Sequence, residues 1–99
     1  MGANVMPLVS VIMPTYRRED TLRRAIKSVL GQAYKNLELI VVNDNGDEGR
    51  FTPIVRDIVG SFSKIDGRVR LLEPSVHKNG AFARNRGVEA SSGELLAFL

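Results

Sequence analysis

The sequence contains no cysteine. That excludes disulfides, a thiolate nucleophile and any cysteine-based metal centre, and it is compatible with a reducing compartment. Long apolar runs are also missing. The longest ones, such as residues 37–42 with Glu38 inside, fall far short of the roughly 20 residues needed to cross a bilayer. Residues 1–8 lack a charged stretch followed by a long apolar one, so no secretory signal is read there and a cytoplasmic protein is expected, at most peripheral to the inner face of a membrane. Histidine occurs once, at His77, in a segment with loop character, where an exposed structural role is expected. The net charge is only +3, and the basic residues are scattered apart from Arg17-Arg18 and Arg23-Arg24, so no nucleic-acid partner is expected. Two nucleotide-binding fingerprints are absent as well. No G-x-G-x-x-G follows the first apolar segment, and there is no G-x-x-x-x-G-K-[ST], which disfavours dinucleotide dehydrogenases and P-loop enzymes.

What the sequence does contain is a core. With 43% hydrophobic residues in 99, one small globular unit is expected, a tail at residues 1–7 followed by a domain over residues 8–99. Short apolar runs alternate with segments of helical period. Residues 9–13 form a nearly continuous apolar run, as a strand covered on both faces would. Leu22, Ala25, Ile26, Val29 and Leu30 then recur every three or four residues, with Glu19 and Asp20 in the first turn and Gly31 after the last. Residues 39–42 predict a second strand. Thr52 as cap and Pro53 at the first position predict a helix carrying Ile54, Val55, Ile58, Val59 and Phe62 on one face. Residues 69–72 predict a third strand closed by Pro74. Asn79 can cap a third helix through Ala81, Phe82, Val88 and Ala90 that stops at Gly93, and residues 95–99 predict a buried fourth strand. The alternation implies an α/β fold: right-handed crossovers joining a Rossmann-like parallel sheet of about four strands with helices on both faces.

In such a sheet ligands bind beyond the carboxyl ends of the strands. Beyond strand one lie Pro14, Thr15, Tyr16, Arg17 and Arg18; beyond strand two, Asn43, Asp44, Asn45 and Asp47; beyond strand three, Glu73, His77, Lys78 and Asn79. An aromatic face, carboxylates, amides and cations suit a nucleotide, whose base stacks, whose imide donates and whose phosphates take cations or helix-terminal amides. The competing structural reading packs Tyr16 on the sheet edge and has Asp44 cap a turn. Arg17, Arg18, Arg23 and Arg24 read as solvated surface. Arg84 can pair with Glu89 or Asp44 or meet a phosphate, and Phe82 and Phe98 read as core.

Three segments carry a resemblance. These are residues 9–18 with the helix to Gln32, the run Asn36-Leu37-Glu38-Leu39-Ile40-Val41-Val42-Asn43-Asp44, and Asn79-Gly80-Ala81-Phe82-Ala83-Arg84-Asn85-Arg86-Gly87. In this order and spacing, over residues 8–99, the sequence resembles the N-terminal, nucleotide-sugar-binding half of glycosyltransferase family 2, with its GT-A fold. The resemblance implies a nucleotide-sugar donor, most often a uridine diphosphate sugar, and transfer with inversion to a saccharide, lipid-linked or protein acceptor in polysaccharide or glycoconjugate synthesis. It implies that Pro14, Thr15 and Tyr16 shape the base pocket and that Asp44 accepts the uracil N3–H. Lys78, Asn79 and Arg84 then fall in the segment near the diphosphate. The family's acidic motif for a divalent metal, Mn or Mg, follows strand four, and its general base lies further on. The sequence reaches Leu99 before either, so no catalytic residue and no metal ligand is expected within it, and negligible transfer by these residues alone. Asn45-Gly46-Asp47 departs from the glycine-serine pair common after the family's carboxylate. A non-catalytic nucleotide-binding or assembly module of the same fold is the rival reading. Self-association through apolar surface at residues 95–99 is also expected.

Overall fold

A computed structural model describes residues 6–45, 50–74 and 80–99. The order is β1 (Val9–Thr15), α1 (Glu19–Leu30), β2 (Leu37–Asn43), α2 (Phe51–Ser63), β3 (Val69–Leu72), α3 (Gly80–Ala90) and β4 (Leu95–Phe98). All four strands are parallel, in the order β3-β2-β1-β4. The chain thus moves outward from β1 to β2 to β3, then crosses back to the other side of β1. Right-handed crossovers running in opposite directions put their helices on opposite faces. The strand residues divide accordingly. Val11, Met13, Leu37, Leu39, Val41 and Val69 pack with Leu22, Ile26 and Val29 of α1 and Val55, Ile58, Val59 and Phe62 of α2. The alternate residues Ile12, Ile40 and Val42 pack with Ala83 of α3. The two helical periodicities read in the sequence are therefore the buried faces of α1 and α2.

Pro14 sits near the end of a strand that has neighbours on both sides, where a missing N–H would normally break a ladder. Thr15 O accepts the Asp44 N–H on the β2 side, so Pro14, one residue earlier, faces β4. The last β1–β4 register pair is Ile12↔Phe98, two residues before Pro14, and the Leu99 N–H still donates to Ile12 O.

Three sequence expectations need correction. Thr52 is not a cap: α2 begins at Phe51 with no side-chain cap bond, and Thr52 lies buried in the first turn, where its hydroxyl accepts from Asn43. Gly93 does not end α3, which stops at Ala90. A Cβ at Gly93 would lie 2.7 Å from Leu8 O and from Ser10 N, so glycine is required there by close backbone approach to β1. Finally, Phe82 and Phe98 are not both core: Phe82 is only partly buried, and Phe98 is exposed on β4, the edge strand of this sheet. Leu95 and Leu96 are exposed beside it among the described residues, which is the apolar surface expected at residues 95–99.

A polar latch fastens β4 at its start. Ser10 Oγ donates to Glu38 Oε2 (2.5 Å), the Ser92 N–H donates to the same oxygen (2.6 Å), and the Gly93 N–H donates to Ser10 Oγ (2.7 Å). Arg70 reaches Glu38 Oε1 at 3.4 Å and also donates to Ala90 O. Burial alone would raise the Glu38 pKa, but the bonds from Ser10 and Ser92 and the Arg70 charge outweigh it and hold the carboxyl below its ordinary 4.5. A folded pKa below the unfolded one gives stability that is present above the unfolded value and lost as pH falls through the folded value. The stability gap between wild type and Glu38→Gln, measured by urea unfolding, is therefore expected to shrink as pH drops from about 6 to about 3. A pH-independent gap would remove the carboxylate from this account.

Candidate nucleotide site at the strand ends

The strands' carboxyl ends bring the first two groups of candidates together. Register pairs Pro14 with Val42 and Thr15 with Asn43, and the Asp44 N–H donates to Thr15 O at 2.9 Å. Thr15 (2% exposed) and Asp44 (3%) are buried side by side, and Tyr16 is half-buried at the start of the following loop. Thr15 Oγ1 is buried with no hydrogen-bond partner among the described residues. An unsatisfied buried hydroxyl is costly, and one at a strand end is a candidate for a ligand contact. This end of β1 lies at the topological switch point, since the connections from its two neighbours run in opposite directions.

Lys78 and Asn79, with His77 and Asp47, lie outside the described residues. Arg84 is exposed on α3, one turn from the end of the helix that the crossover places at the strands' carboxyl edge. Its expected alternative partner is taken by another residue: Glu89 pairs with Arg86, at 2.8 Å. Arg17 and Arg18 are exposed, as read, as are Arg23 and Arg24 on α1, although Arg23 also lies over the Phe62 ring at 5.9 Å.

The structure adds a network whose roles the sequence did not show. Asn43 Oδ1 accepts from the Asn45 N–H (3.1 Å) and from Asn45 Nδ2 (2.7 Å). Asn43 Nδ2 donates to Thr52 Oγ1 at 3.0 Å and lies 3.5 Å from Glu73 Oε2, and Glu73 takes the Arg56 guanidinium at 2.8 Å. Asn45 Oδ1 accepts the Arg17 N–H at 2.8 Å. Two carboxamides, both at most 3% exposed, thus join the loop after β1, the end of β2, the first turn of α2 and the residue after β3. Arg17 has φ 51°, and its guanidinium lies 5.0 Å from the Tyr16 ring centre and 5.8 Å from that of Phe51. Arg50 lies 4.7 Å from the Phe51 ring and pairs with Glu19 at 3.2 Å. The usable signal was Asn-x-Asn closing an apolar strand, two amides spaced to fall on one side of an extended chain.

No cluster of three or more histidine, aspartate or glutamate side chains able to hold a metal occurs among the described residues. These residues therefore do not fit a divalent cation. A hard cation needs several converging oxygens. Titration with Mn²⁺ alone, followed by calorimetry or paramagnetic broadening, is expected to show no saturable site in the micromolar range; a saturable one would contradict this.

Comparisons with known proteins agree on one relationship. The family model for Glycosyl transferase family 2 matches residues 10–99. A putative teichuronic acid biosynthesis glycosyltransferase, TuaG of Bacillus subtilis, is 36% identical over 97% of this chain and 36% of its own length. WfgD of Escherichia coli, a UDP-Glc:alpha-D-GlcNAc-diphosphoundecaprenol beta-1,3-glucosyltransferase, is 42% identical over 93% of this chain and 34% of its own length. The chain spans about a third of the length of these relatives. Among solved structures, the mannosyltransferase PcManGT from Pyrobaculum calidifontis, in complex with GDP-Man and Mn²⁺, superposes with a TM-score of 0.75 at 26% identity, covering 94% of this chain and 27% of that one.

Proposed function

This chain belongs to glycosyl transferase family 2, and on that premise we propose that it forms the donor-nucleotide part of an inverting glycosyltransferase that uses a UDP-sugar. The observation that carries the reading is the convergence of Thr15, Tyr16 and Asp44 at the adjacent ends of β1 and β2, joined by the Asp44 N–H to Thr15 O bond. A carboxylate is a charge-assisted acceptor for the protonated N3 of uracil, and the Tyr16 ring offers a face on which the base stacks. Pro14 fixes the strand end before them. Lys78, Asn79 and Arg84 are assigned to the diphosphate, where cations and helix-terminal amides offset its charge. The name of WfgD supports UDP as the donor nucleotide and a lipid-linked saccharide as acceptor, whereas PcManGT carries a guanosine nucleotide. A lipid-linked acceptor fits a place at the inner membrane face. No described helix is long and apolar enough to cross a membrane.

In the transfer, the acceptor hydroxyl oxygen bonds to the anomeric carbon as the bond from that carbon to the diphosphate oxygen breaks, and the hydroxyl proton passes to a base. Within this chain the residues named do no more than bind and orient the nucleotide. The metal that assists departure of the diphosphate, Mn or Mg, would be held by residues other than those described here.

Titration of the 99-residue chain with UDP, CDP and GDP, followed by NMR, tests the reading. UDP is expected to bind weakly and in preference to both others. Equal response to UDP and CDP, or preference for GDP, overturns the uracil assignment.

A further inference from the structure

We propose that Asn45 is a positioning residue for base recognition: its buried carboxamide holds Arg17 in a left-handed backbone conformation and so sets the Tyr16 ring on which the base stacks. This rests on the nucleotide-binding reading above.

Arg17 is the one non-glycine residue with positive φ among the described residues. A residue with a Cβ adopts that conformation at a cost and keeps it only where the surroundings impose it. What imposes it here is specific. The Arg17 N–H donates to Asn45 Oδ1 at 2.8 Å, and Asn45 is 1% exposed. The Asn45 carboxamide cannot easily turn, because its Nδ2 donates to Asn43 Oδ1 at 2.7 Å and Asn43 is itself committed to Thr52. Each amide is thereby fixed in one orientation, donor to acceptor, back to the first turn of α2.

The left-handed turn has a consequence for the side chains. Reversing direction at residue 17 lets the guanidinium fold back over the ring of its immediate predecessor, 5.0 Å from its centre, while it also reaches Phe51 at 5.8 Å. Tyr16 is thereby backed by a cation that is in turn backed by α2. The guanidinium is one restraint on this half-buried ring at the mouth of a loop, and a stacking partner gains affinity when the ring is already ordered. Asn45 acts through Arg17, whose N–H its Oδ1 accepts.

The test separates this from a general structural role. In wild type, the Arg17 side-chain methylene protons are expected upfield of random-coil positions because two rings lie beside them. Asn45→Ala is expected to abolish that shift and to weaken UDP binding by about tenfold, the lower part of the range for releasing such a conformation. In an Arg17→Gly background the same Asn45→Ala change should alter UDP affinity by less than about twofold, because glycine takes positive φ unaided. A third comparison leaves Asn45 intact in case its removal unfolds the chain. Arg17→Val resists the left-handed region whereas Arg17→Gly does not, so valine should bind UDP about tenfold more weakly than glycine although both lack the guanidinium. Retained upfield shifts in Asn45→Ala, equal losses in both backgrounds, or equal affinities for valine and glycine would overturn the proposal. If wild type binds no UDP, the nucleotide reading falls, and the upfield shifts alone decide whether Asn45 holds Arg17.

Discussion

Asp44→Ala is expected to weaken UDP binding by about 10- to 100-fold while changing CDP binding little, because a hydrogen bond to a charged group contributes about 1.5–3 kcal/mol and cytosine presents no proton at N3. The carboxylate is 3% exposed and held at the end of β2 by the bond from its own N–H to Thr15 O. That backbone bond does not depend on the side chain, so it is retained when the substitution removes the acceptor. Asp44→Asn sharpens the result. A carboxamide keeps an oxygen that can accept from uracil and adds an NH₂ that can donate to N3 of cytosine. The UDP to CDP preference should therefore narrow from both sides, which simple loss of folding would not produce. Isothermal calorimetry with both nucleotides on wild type and the two variants measures it, with thermal unfolding run alongside. Unchanged UDP affinity in Asp44→Ala would return the residue to a turn-capping role.

The second large effect is on stability. Gly87→Ala is expected to destabilise the chain, although alanine is the better helix former. In an open helix interior the change gains about 1 kcal/mol. Here a Cβ would lie 2.4 Å from Ile12 Cγ2 and 3.3 Å from Val42 Cγ2, and both side chains are 0% exposed. They have no space to withdraw into, and overpacking of that kind costs about 1–3 kcal/mol. The clash wins, for a net loss of up to about 2 kcal/mol, a fall in Tm of several degrees in a domain of this size. Gly60→Ala in α2 is the control. Its Cβ would meet nothing within 4 Å, so only the helix-forming gain remains and Tm should rise. Opposite signs at the two glycines are the expected result. A rise at both would mean that α3 does not approach the sheet this closely. The approach also bears on the site, because α3 carries Arg84 one turn before Gly87.

Periodicity alone determined most of the architecture. Leu22, Ile26 and Val29, and Val55, Ile58, Val59 and Phe62, could be assigned to helix faces because burial against a sheet needs one apolar stripe, which a 3.6-residue period writes into the sequence. The apolar runs of β1 and β2 were legible because strands covered on both faces need little polar alternation. Edges and joints were less visible. Apolar surface was expected at residues 95–99, but that β4 lies beside β1, with no described strand on its other side, is a property of the sheet order. Thr52 before Pro53 has the local chemistry of a helix cap. Its hydroxyl instead serves Asn43, nine residues earlier, because α2 starts at Phe51 and turns that side chain inward.

The candidate site divides in the same way. Tyr16 and Asp44 could be named from the sequence because strand ends are where an α/β sheet offers side chains to a ligand, and each lies within three residues of the end of an apolar run. The joining of Arg17 to Asn45, 28 residues apart, and of Asn43 to Glu73, 30 apart, could not. A hydrogen bond between amide groups leaves no periodic trace in a sequence. It forms only after parallel pairing has set Thr15 beside Asn43 and brought the loop after β1 over the end of β2. The sequence alone determined which elements form and which residue types stand at their ends. The tertiary structure decided which of those residues hold one another in place, because hydrophobic burial is written locally along each element whereas polar contacts depend on the register between elements.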